Sequence, residues 1–113
     1  MMQPLIDPEV FAELKEATGN GFVAELVETF LDEAPGMITE LKTAILEEDR
    51  DCYRRAAHSI KSNASTFGAT ALAELARDLE LGDLPERGDF SGVHPLQTSF
   101  EITAEKLRSL INA

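Results

Sequence analysis

The sequence predicts an all-α protein, an antiparallel four-helix bundle with a short extra N-terminal helix. Ala, Leu and Glu dominate the chain and tryptophan is absent, so helix propensity is high nearly everywhere. Apolar residues recur at spacings of three and four through four long stretches. Short polar joints separate most of those stretches, which favours antiparallel neighbours.

The first start signal is "DPEVF", where Asp7 can cap free backbone N–H groups and Pro8 sits where a missing donor costs nothing. A short helix should run to about Ala17 and stop in "TGNG" at 18–21. Phe22, Val23, Leu26, Val27, Phe30 and Leu31 open the next helical pattern, and Ile38, Leu41, Ile45 and Leu46 continue it after "APG". Pro35 within that pattern predicts one kinked, continuous helix. "EEDRD" at 47–51 is a polar junction in which Asp49 or Asp51 can cap the next helix, from about Asp51 to Phe67. Its inward stripe is Tyr53, Ala56, Ile60, Ala64 and Phe67. Gly68 ends it, and Leu72, Leu75, Ala76 and Leu79 supply the following stripe. "LGDLPERGDFSG" at 81–92 reads as a loop, and the last helix, firm only after Pro95, buries Leu96, Phe100, Leu107 and Ile111.

With 113 residues and 43% hydrophobic side chains, the chain suffices for a single domain over 1–113. Ten basic against 21 acidic side chains leave a formal charge of −11, which repels nucleic acid and anionic lipid. Neither nucleic-acid binding nor direct membrane contact is expected. Cys52 is the one cysteine and no export signal precedes the first helix, so the expected compartment is the cytoplasm. His58 and His94 share no metal-binding spacing with other ligands, so no metal is expected. Nor does any Gly-rich phosphate loop occur, which leaves no ATP site of the chain's own.

The informative stretch is "RRAAHSIKSNASTFGATALAELARDLE" at 54–80. At about 100° per residue, His58 lies roughly 200° from the inward Ile60 and faces outward. Arg54, Arg55, Lys61 and Ser62 lie within one turn of it, and Ser65 one turn further. Clustered cations in an acidic protein ask for an anion. A neutral imidazole offers a ring-nitrogen lone pair, and a phosphoryl group accepted there would be stabilised by Lys61 and an arginine. The small Ser59, Ser62, Ala64 and Ser65 leave the face low enough for a partner's active site. The competing reading is a helical interaction or scaffold module in which His58 is incidental.

His58, Lys61, Ser62, Phe67 and Gly68 follow an H-x-x-K-[GS]-x-x-x-x-[FL]-G pattern, with Leu72, Leu75 and Leu79 behind it. This block, from Ala57 to Glu80, resembles the histidine phosphotransfer (HPt) domain family and is similar to the phosphotransfer domain of chemotaxis-type histidine kinases. The resemblance implies a two-component phosphorelay intermediate: a phosphocarrier, not an enzyme, with His58 as phosphoacceptor and Lys61 as phosphate stabiliser. Phe67 and Gly68 are then structural. Glu80 corresponds by position to a glutamate that orients the histidine ring, while Arg54, Arg55, Ser62 and Ser65 are candidates for partner contact. Ser62 stands where glycine is usual in the family, which bears on which partner fits. The implied partners are receiver domains of response regulators or hybrid histidine kinases, with Mg2+ held by the receiver and no cofactor on this chain. A monomer is expected, because bundle closure buries the apolar faces.

Overall fold

The computed structural model describes residues 5–112. Five helices follow one another: α1 (Pro8–Thr18), α2 (Asn20–Glu47), α3 (Arg50–Thr66), α4 (Thr70–Leu81) and α5 (Val93–Ile111). Among the described residues there is no strand. The last four helices form a ring in which α3 packs on α2 and α4, and α5 closes the ring against those same two. α1 lies across α2 and α3.

Each boundary has a local cause. Asp7 caps α1, its carboxylate accepting from the N–H groups of Glu9 at 3.0 Å and Val10 at 3.5 Å. The break after α1 is a single residue, Gly19, at φ +88°, so the expected four-residue stop is shorter than "TGNG" implied. α2 then runs unbroken through Pro35 for 28 residues. It ends at Glu48 in a left-handed conformation, with the Asp49 N–H donating to the Ala44 carbonyl at 2.9 Å. Asp49, rather than Asp51, caps α3 through the Cys52 N–H at 3.1 Å.

α5 begins at Val93, before Pro95 and not after it. Pro95 falls at the third helical position, where its missing N–H would have had no intrahelical acceptor in any case. The Val93 and His94 N–H groups both donate to the Phe90 carbonyl and start the helix.

One continuous core fills the ring. The α3 stripe of Tyr53, Ala56, Ile60, Ala64 and Phe67 is buried throughout, joined by Ala57, which the sequence pattern did not single out. Phe30 of α2 stacks on Phe67 with ring centroids 5.4 Å apart and meets Phe100 of α5 edge-on at 5.8 Å. Phe30 of α2 thus links the end of α3 to α5. Two apolar positions of the predicted stripes, Phe22 and Leu46, are exposed, and Leu26, Leu31, Leu75, Leu79 and Ile111 are partly covered. Phe22 belongs to the first turn of α2 and Leu46 and Ile111 to the last turns of α2 and α5, where the ring no longer encloses a full helix face.

Gly68 holds the α3–α4 joint. Its φ of +75° disfavours any side chain, and an added Cβ would stand 3.0 Å from both the Asp7 carbonyl oxygen and Val10 Cβ. The same approach lets the Asp7 N–H donate to the Gly68 carbonyl at 2.8 Å, fastening the start of α1 to this turn. The three-residue joint of Phe67, Gly68 and Ala69 sets α4 back along α3, so that Glu80 comes level with His58.

Candidate phosphoacceptor site

His58 stands on the outer face of α3, its side chain 57% exposed. Across the α3–α4 seam, its Nδ1 lies 2.6 Å from Glu80 Oε2. Lys61, one turn along α3, donates from Nζ to the other oxygen, Oε1, at 2.7 Å. Glu80 is only 17% exposed and binds both partners, so one carboxylate fastens the ring and the ammonium together.

This arrangement determines the tautomer. The Lys61 bond, aided by that from His58, holds the Glu80 carboxyl below its ordinary value of 4.5 against the opposing pull of burial. An ionised carboxylate only accepts, so the Nδ1 proton belongs to the imidazole and donates to Glu80. In the neutral ring the lone pair then belongs to Nε2. Ser62 Oγ lies 3.5 Å from Nε2, at the outer limit of a hydrogen bond.

The other predicted positions separate into two groups. Ser62 and Ser65 are exposed on the same face of α3 as His58. Arg54 and Arg55 are exposed as well, and neither forms an ion pair with Asp51 or Glu48; three ion pairs occur among the described residues, His58–Glu80, Lys61–Glu80 and Arg50–Asp83. Arg55 leans toward α2, sharing a groove with Glu40, Cys52 and Ser59. Phe67 and Gly68 lie in the buried joint already described. Among the described residues no cluster of three or more His, Cys, Asp or Glu could hold a metal ion.

The Lys61–Glu80 bond escaped the sequence reading, which assigned Lys61 to an incoming anion alone. A signal was present: Lys61 is turned about 60° from His58 around α3, toward the inward Ala57 and Ala64 side on which α4 packs. Opposite charges in Lys61 and Glu80 therefore had only the seam between them.

The described residues thus form an all-helical ring that carries on its surface a half-exposed histidine bonded to a carboxylate, with a lysine on the same carboxylate. The chain belongs to the Hpt domain family, whose model matches residues 25–111. It is 34% identical over 76 residues to the chemotaxis protein CheA of Salmonella typhimurium, a match covering 59% of this chain and 11% of that much longer protein. In fold it resembles the histidine-containing phosphotransfer protein B (HptB) of Pseudomonas aeruginosa PAO1, with a TM-score of 0.82, 24% sequence identity, and coverage of 98% of this chain and 97% of that one.

Proposed function

We propose that this protein is the histidine phosphotransfer component of a two-component phosphorelay, with His58 as the acceptor. The observation that carries the reading is the 2.6 Å contact between His58 Nδ1 and Glu80, which in the neutral ring places the proton on Nδ1 and the lone pair on Nε2. In the accepting step, the Nε2 lone pair attacks the phosphorus of an aspartyl phosphate on a receiver domain. A P–N bond forms, the P–O bond to the aspartate breaks, and the aspartate carboxylate leaves with the electron pair. The ring, still bearing its Nδ1 proton, becomes cationic, and Glu80 stabilises that charge. Lys61 has three N–H donors and uses one on Glu80, so two remain for phosphoryl oxygens. Passing the group to a second receiver, or accepting it from a kinase in trans, runs the same chemistry in the matching direction.

The chain is a carrier on this reading. ATP, Mg2+ and the acidic pocket belong to its partners. No described helix is long and apolar enough to cross a membrane. A cytoplasmic monomer fits the free Cys52 and the closed ring.

The test is a transfer time course with receiver domains preloaded with phosphate, run beside a His58→Gln control of unchanged circular dichroism. Label that is acid-labile and base-stable should appear on the wild type and be absent from the control. Equal labelling of both, or binding without label, would remove His58 from the chemistry and leave a receiver-binding module.

A further inference from the structure

Lys61 also lines a groove of about 310 Å³ between α3 and α4, on the side of the site toward Gly68. Val10 of α1, Ser65 of α3, and Ala73, Glu74 and Arg77 of α4 line it with Lys61. Glu74 and Arg77 are both exposed. They stand one turn apart with opposite charge, yet neither is ion-paired among the described residues. Along α4 the order from the reactive histidine is Glu80, then Arg77, then Glu74.

We infer that this groove is the receiver's docking groove, with Arg77 taking a carboxylate of the receiver domain that exchanges phosphate with His58; the inference rests on the phosphotransfer reading. Scale and charge both lead there. Ser65 lies seven residues from His58, about 10 Å along the helix. A standard interface covers about 800 Å² on each partner, equivalent to a disc of roughly 16 Å radius. A receiver seated with its acidic pocket over His58 therefore covers the groove. The apolar lining supplies burial and Arg77 supplies a charge of the sign that an acidic pocket rim seeks. Such a charge is scarce here, where acidic side chains outnumber basic ones 21 to 10. Glu74, one turn further out, gives the groove a second sign, so a receiver with the reverse charge order is disfavoured.

The experiment separates docking from chemistry by using two donors, phosphoramidate and the preloaded receiver that labels the wild type fastest. Arg77→Glu should raise the KM for that receiver about tenfold, equivalent to about 1.4 kcal/mol. The increase should shrink as salt is added, with the saturating rate and the phosphoramidate rate unchanged. Ser65→Trp, which fills the groove without altering charge, should raise KM without the salt dependence. An unchanged KM in both variants overturns the inference. So does a parallel fall in phosphoramidate labelling, because the substitutions would then be acting on His58 or on the fold. If phosphoramidate labels the wild type and no receiver does, receiver docking is overturned while His58 keeps its reactivity; if neither donor labels it, the phosphotransfer reading fails as well.

Discussion

At the scale of single residues, Glu80 organises the site. A hydrogen bond to a charged group contributes about 1.5–3 kcal/mol, so Glu80→Gln should slow phosphoryl acceptance by roughly ten- to a hundredfold. Nitrogen-15 spectra of His58 should show the Nδ1–H tautomer in the wild type and a mixture in the variant; a variant with one tautomer and full rate would remove Glu80 from the mechanism. Glu80 also gives stability a pH dependence of known sign. Its carboxyl is held below 4.5, so its folded form binds a proton less readily than its unfolded form. The contribution is thus fully present above the ordinary carboxylate range and is lost as pH falls through the lowered value. Urea midpoints of wild type and Glu80→Gln should differ near neutral pH and converge on the acid side. A gap that widened with acid would contradict the assignment. The ring partner was visible in sequence only through the family resemblance, which places a ring-orienting glutamate at the position of Glu80. The lysine partner was not, because it depends on how α4 is set against α3.

Among the elements, two left-handed residues allow a test by opposite substitutions. Gly68 has φ +75° and no room for a Cβ, whereas Glu48 has φ 58° and ends α2 despite its side chain. Gly68→Ala should destabilise by at least about 1–2 kcal/mol from backbone conformation alone, with the collision against Asp7 and Val10 added. Glu48→Gly should stabilise by up to about 1 kcal/mol, since glycine removes the left-handed penalty at a helix end. Chemical denaturation of both variants checks the two signs together. Helix identity was legible because apolar spacing and caps agreed, as at Asp7 and in the Tyr53 to Phe67 stripe. The ends were less so. Gly19 stops α1 alone because one positive φ is enough to turn the chain, and Val93 starts α5 because a proline at the third position costs a helix nothing. Periodicity also extends past the zone of burial, which is why Phe22 and Leu46 fit the pattern and still face solvent.

Taken whole, the molecule measures 42 × 31 × 19 Å. A standard interface centred on His58 is roughly 32 Å across, comparable with the middle dimension of the whole molecule, 31 Å. Only one partner can therefore occupy the histidine at a time. On the phosphotransfer reading the protein would work as a turnstile: the donor would leave before the acceptor arrives, and no three-body complex would carry the group across. Steady-state transfer between two receivers should give parallel lines in double-reciprocal plots, the pattern of a ping-pong sequence. An excess of the acceptor receiver should slow loading by occupying the unphosphorylated form; intersecting lines would mean that two partners share the face. With one acceptor histidine serving every partner, the flux of such a relay depends on how long each visitor stays as well as on how fast the bond is exchanged.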